Sequence, residues 1–163
     1  MDVISVPAST TALILRLALA TALGAAVGVN REMRLKPAGL RTHALVALGS
    51  ALLAFIGLAM VPTFGPGNRI IVDMNAMSRI LQGVVAGVGF IGGGVILRQD
   101  DNRGVHGLST AASIWVVAAI GIATGLGLWR AAVTSVILAL AILALGTPLD
   151  RKLREWRKDH PAT

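Results

Sequence analysis

The chain contains no cysteine, which excludes disulfides and thiolate metal sites and leaves its redox compartment unread. It is also poor in charge: Asp, Glu, Lys and Arg make up 14% of its 163 residues, against 55% hydrophobic residues and a mean hydropathy of +0.74. That balance lies well beyond an ordinary soluble domain. No Asp or Glu falls inside a long apolar run. Carboxylates would be needed to share a hydrated magnesium ion, so no magnesium pore through the apolar segments and no metal site are expected. The three histidines are scattered and no Ser is paired with a base in a recognisable motif, so neither a catalytic centre nor a cofactor is expected. The N-terminus lacks a basic stretch and Arg16 interrupts the first apolar run, so no cleaved signal peptide is expected.

What the chain does have is five apolar segments, at 11–29, 43–61, 80–97, 108–126 and 131–146. The eighteen residues of the third can span a hydrocarbon core of about 30 Å as a helix rising roughly 1.5 Å per residue, and the five are read as five spans. The expected fold is all-α: a five-span transmembrane domain over residues 1–146, then a short basic tail over 147–163. The segment T-P-L-D-R-K-L-R-E-W-R-K-D-H in that tail reads as a separate amphipathic helix, capped by Thr147 with Pro148 in its first turn, lying on the lipid surface. The longest loop, between the second and third segments, is expected to be partly ordered. The fourth and fifth segments follow so closely that they form a tight hairpin.

A net charge of +7 raises the question of nucleic acid. The basic residues lie between apolar segments instead, as orientation signals do. Arg31, Arg34, Lys36 and Arg41 follow the first segment, Arg98 and Arg103 follow the third, and the tail adds Arg151, Lys152, Arg154, Arg157 and Lys158. The opposite side has Arg69, Arg79 and Arg130. Positive loops stay in the cytoplasm, so the N-terminus is expected outside and the tail inside, with the lipid bilayer as partner and no nucleic acid.

The stretch R-I-L-Q-G-V-V-A-G-V-G-F-I-G-G-G-V-I-L, residues 79–97, dominates the chain. At roughly 100° per residue, Gly83, Gly87 and Gly94 fall within about 40° of one another and form a groove without side chains. In lipid such a groove is a packing device, and another helix is expected in it, from this chain or from a second copy. Gly24 and Gly28 in the first segment, and Gly121 and Gly125 in the fourth, form further small-residue strips.

A shift of 68 residues aligns Gly24 with Gly92, Glu32 with Asp100, Gly39 with Gly107, Leu40 with Leu108 and Thr42 with Thr110. Segments one and two are therefore expected to repeat in segments three and four. Both hairpins would begin on the same side, so the repeat is parallel, with its axis along the membrane normal.

G-x-x-x-G-x-N-R-E followed by A-G-L-R-T-H-A-L-V-A-L-G-S-A-L, the glycine-rich stretch, and G-L-S-T-A-A-S-I-W-V-V-A-A-I-G together resemble the MgtC/SapB membrane proteins. The match covers about residues 24–127. The resemblance implies a multi-pass protein of the bacterial inner membrane, tied to growth under magnesium limitation and, in pathogens, to survival inside host cells. It also implies, for some relatives, restraint of the F-type ATP synthase. Longer members continue into a soluble C-terminal domain, where this sequence stops soon after Trp156.

Two polar groups stand out as sites. On the outer side, Asp73, Arg79 and Gln82 match polar positions of the resemblance, and Arg79 and Gln82 share a helical face. The alternative is that Arg79 snorkels and Gln82 bridges two helices. Arg16 lies at a similar depth and either pairs with Asp73 or snorkels. On the inner side, Arg31, Glu32, Arg41, Thr42 and His43 are expected to meet Asp100, His106, Ser109 and Thr110. Two helix N-termini capped by Thr would there offer N–H groups to an anion, with Arg41 as a donor fork. The alternative is a pair of capped helices carrying solvated charges.

These features point to a non-enzymatic membrane protein for adaptation to low magnesium, working by helix contact with a second copy, a dimer being favoured, or with a larger membrane complex. The alternative from another class is a small ion transporter or channel built on the repeat.

Overall fold

A computed structural model describes residues 9–60, 62–65, 69–72, 74–97 and 107–159. It contains helices α1 (Thr10–Met33), α2 (Leu40–Met60), α3 (Met74–Leu97), α4 (Leu108–Gly125) and α5 (Trp129–Asp159). All five are long and apolar enough to cross a membrane. Ser9 starts α1 by accepting a 3.3 Å hydrogen bond from Ala12 N, which satisfies one of the free N–H groups of the first turn.

The expected loop between α2 and α3 contains a short antiparallel hairpin, β1 (Pro62–Gly65) against β2 (Arg69–Val72), with Phe64 opposite Ile70. Proline, glycine and asparagine between β-branched and aromatic residues favour that turn. The chain is otherwise the helical bundle that its hydropathy implies.

Small residues set the packing. Ala47 and Ala51 of α2 are fully buried and sit between α1 and α4. A Cβ added at Gly24 would lie 2.6 Å from both Ala47 Cβ and His43 O; one at Gly28 would lie 2.6 Å from Leu40 Cα. From the other side, a Cβ at Gly121 or Gly125 would run into the backbone oxygen of Ala47 or Ala51. Backbones this close exchange dispersion contacts over their whole length, which is how helices associate where lipid cancels the hydrophobic drive. Val27, Ala47, Val117, Ile120, Ala132 and Val136 extend this core to α5. Helix α4 is the centre of the bundle, touching all four of the others.

Helix α3 packs through a different stripe from the one its glycines suggest. Met77, Val84 and Val88 are its buried side chains, and Gly92 stands 3.4 Å from Ala111 Cβ for an added Cβ. Gly83, Gly87 and Gly94 would meet nothing within 4 Å. Among the described residues no helix fills that groove, because the larger Val side chains of the neighbouring stripe give α4 more to pack against. Gly83 and Gly87 instead line a crevice of about 580 Å³ between α2 and α3, with Gly49 and Ser50 opposite.

The α4–α5 connection is the tight hairpin expected, turning at Gly127 with φ +85°. The expected helix break at Thr147 does not occur: α5 runs through Pro148 to Asp159. Proline removes one backbone hydrogen bond there, just past the apolar span that ends at Gly146.

Candidate functional site at the α1–α2 end of the bundle

Helix α1 ends, and α2 and α4 begin, at the same end of the bundle. Arg34 N and Lys36 N both donate to Arg31 O at 3.1 Å, turning the chain out of α1. Leu35 takes a left-handed φ of 52° and is exposed. Glu32 Oε2 then accepts a 2.8 Å hydrogen bond from Leu40 N. A carboxylate on the positive end of α2 is favourable both as a hydrogen bond and as a charge. A Cβ at Gly39 would collide with that carboxylate, so the Glu32 cap requires glycine at 39. The cap of α2 is Glu32, therefore, and not the expected Thr42, which is half-buried within the helix.

Arg31 is 3% exposed. Its Nη2 donates to Thr110 Oγ1 at 2.7 Å and to Ser109 Oγ at 3.2 Å, both in the first turn of α4. Its Nε is buried without a hydrogen-bond partner, and so is Asn30 Oδ1. The donor fork expected of Arg41 is supplied by Arg31; Arg41 is exposed. Nor does Thr110 cap α4. The cap position is Gly107, with φ 85° and no side-chain hydrogen bond, and Thr110 lies three residues further on.

His43 is fully buried. Its Nδ1 lies 2.8 Å from Gly39 O and its Nε2 lies 3.0 Å from Ser113 Oγ, while Ser113 Oγ also lies 2.7 Å from Thr110 O. A carbonyl oxygen can only accept, so Nδ1 carries a hydrogen. In the neutral ring Nε2 must then accept from Ser113, whose single hydroxyl hydrogen is also sought by Thr110 O. Ser113 was missed in the sequence, although its spacing of four from Ser109 puts both on one face of α4. Among the described residues no three His, Asp or Glu side chains stand close enough to hold a metal ion. What the node offers is hydrogen-bond donors.

At the opposite end only part of the expected outer group is described. Asp73, like Asp100 and His106, lies outside the described residues. Arg79 and Gln82 are exposed on α3, and Gln82 Nε2 donates to Ser78 Oγ at 3.1 Å. Arg16 lies at this same end of the bundle, as expected: its Nη1 donates to Gly125 O at 3.1 Å, and its guanidinium lies against Gly127. The C-terminal end of α4 attracts a cation there, and the expected pairing of Arg16 with Asp73 lies outside the described residues.

The MgtC family model matches residues 17–152. Protein SrpB of Synechococcus elongatus is 43% identical over 135 residues, covering 79% of this chain and 71% of that protein. The putative magnesium transporter YhiD of Escherichia coli K12 is 42% identical over 146 residues, covering 88% and 65%. Protein MgtC of Salmonella typhimurium LT2 is 41% identical over 127 residues, covering 78% of this chain but 49% of that protein. The chain thus spans about two thirds of YhiD and about half of MgtC. No solved structure matches.

Proposed function

The chain belongs to the MgtC family and is a multi-pass membrane protein, and from that premise we propose that it supports growth at limiting magnesium through contacts of its membrane helices, without catalysis. The observation that carries this reading is the outward stripe of α3. At roughly 100° per residue, Arg79, Gly83, Gly87, Phe90 and Gly94 fall within about 80° of one another. Phe90 is 85% exposed, and a Cβ at Gly83, Gly87 or Gly94 would meet nothing within 4 Å. A large knob between small-residue holes on one stripe is complementary to itself, which is what a two-fold contact between copies requires. We place the protein in the bacterial inner membrane, with its N-terminus outside and α5 ending in the cytoplasm, because the Lys and Arg residues concentrate on that side. The basic end of α5, continuous with the last span, then anchors the chain at the inner leaflet.

The parallel repeat has support from packing. Gly24 stands against His43, and Gly92 against Ala111; the offset of 68 residues relates both members of the two pairs. The second reading, a small ion transporter, draws on the name of YhiD and on the buried polar groups of Arg31 and His43. Ion flux into liposomes holding the pure protein separates the two readings. Magnesium-dependent flux supports transport, and its absence beside a growth defect in Phe90→Ala supports contact between helices. Because the chain has no cysteine, Gly87→Cys tests the contact directly: oxidation in native membranes is expected to give a disulfide-linked dimer.

A further inference from the structure

Two features of like sign meet where α1 ends. Arg31 brings a guanidinium that is 3% exposed, and its described partners are two hydroxyls and no carboxylate. Its Nε is buried with no hydrogen-bond partner. Both hydroxyls belong to the first turn of α4, which begins at Gly107 without a side-chain cap. The first N–H groups of a helix lack intrahelical acceptors and together carry about half an elementary positive charge. A buried cation held against such a helix start is unfavourable. At the other end of the same helix, Arg16 sits on Gly125 O, where a cation belongs. Glu32, the one acidic residue of α1, is already committed to Leu40 N.

A negatively charged group between the guanidinium and the helix start reverses the balance. It accepts from Nε, takes the remaining hydroxyl hydrogens and meets the positive end of α4. The separation of roles is also chemical. Ser109 and Thr110 each accept from Arg31, which leaves their own O–H groups able to donate. Ser109 and Leu108 are exposed, so this edge of the node is reachable from outside the bundle.

We propose that Arg31, Ser109, Thr110 and the first N–H groups of α4 form a binding site for a phosphate-class oxyanion. The phosphate can be free in solution or can belong to a lipid headgroup; the recognising chemistry is the same. The site is separate from the α3 stripe and stands whether or not copies associate there.

Thermal unfolding of the pure full-length chain tests it in two arms. One arm raises inorganic phosphate at constant ionic strength in detergent micelles; the other, in phosphate-free buffer, compares nanodiscs of phosphatidylglycerol, whose headgroup phosphate keeps a net negative charge, with those of zwitterionic phosphatidylcholine. The midpoint is expected to rise and saturate with inorganic phosphate, or to be higher in phosphatidylglycerol, as binding to the folded state demands. The arm that responds identifies the source. Arg31→Gln is expected to abolish the response, which separates binding from the general effect of phosphate on stability. Should that variant fail to fold, Ser109→Ala at the exposed edge serves instead, with binding about tenfold weaker for one lost hydrogen bond to a charged group. A midpoint that stays flat in both arms overturns the proposal, as does a response that every folded variant retains unchanged.

Discussion

Arg16 and Gly125 are far apart in sequence, yet Arg16 Nη1 donates to Gly125 O at 3.1 Å. A cation from α1 thereby occupies the C-terminal end of α4, and Gly127, at φ +85°, lets the turn pass beneath the guanidinium. Arg16→Leu is expected to lower stability in micelles by up to about 2 kcal/mol, the upper range for a partly buried charge at a helix terminus. Gly127→Ala is expected to cost about 1–2 kcal/mol from its left-handed backbone alone. Thermal or chemical unfolding of the two variants measures both. No loss in Arg16→Leu would mean that the hydrogen bond is incidental.

The two glycine classes give opposite expectations. Gly121→Val should unfold the bundle or lower its stability by more than about 3 kcal/mol. The added Cβ meets the backbone of Ala47, and a backbone cannot step aside as a flexible side chain can, which puts the cost above the usual overpacking range. Gly87→Val should leave the stability of the monomer within about 0.5 kcal/mol, as a substitution away from packed features does. Equal losses in the two variants would contradict the packing described for α3.

The Glu32 cap predicts a graded series. Glu32→Gln keeps an acceptor for Leu40 N and should cost little. Glu32→Ala leaves the start of α2 uncapped and should cost about 1 kcal/mol. Gly39→Ala should cost about as much as Glu32→Ala, because its Cβ displaces the flexible Glu32 carboxylate from Leu40 N, and the double variant Glu32→Ala/Gly39→Ala should lose little more than either single change. Losses that simply add in the double variant would break the link between the two positions.

Five helices were legible in the sequence because each apolar run is long and its neighbours are charged or turn-forming. The polar node was legible only in outline. Reading Arg31 as a loop residue placed its charge in water, yet α1 extends to Met33. Its spacing from Gly24, Val27 and Gly28 follows the buried stripe of that helix. Arg41 looked equivalent by composition, but it lies off the stripe of α2 that buries His43 and Ala47. The glycines of α3 were legible as a shared face, but the partner that covers it was not. Periodicity shows that small residues share a face, but it does not show whether the partner on that face is the same chain. Pro148 read as a helix start because that is where proline is cheapest; α5 runs on through it.

His43 bridges α2 and α4 through Gly39 O and Ser113 Oγ. His43→Leu should cost about 1–3 kcal/mol by removing both buried hydrogen bonds of the ring, although Ser113 keeps Thr110 O and Gly39 O keeps the backbone N of residue 43. Ser113→Ala should cost less, because His43 keeps its bond to Gly39. A larger loss in Ser113→Ala than in His43→Leu would put the bridge elsewhere.

The central claim is that the exposed stripe of α3 does the work in the membrane. A strain deleted for this protein and complemented with Phe90→Ala or Gly87→Leu measures it most directly, as growth at limiting magnesium with membrane abundance followed alongside. Both variants are expected at the parent's abundance and with failed growth, and at ample magnesium both should grow as the parent does. Full growth of both at limiting magnesium, with the protein present at normal levels, would contradict the account.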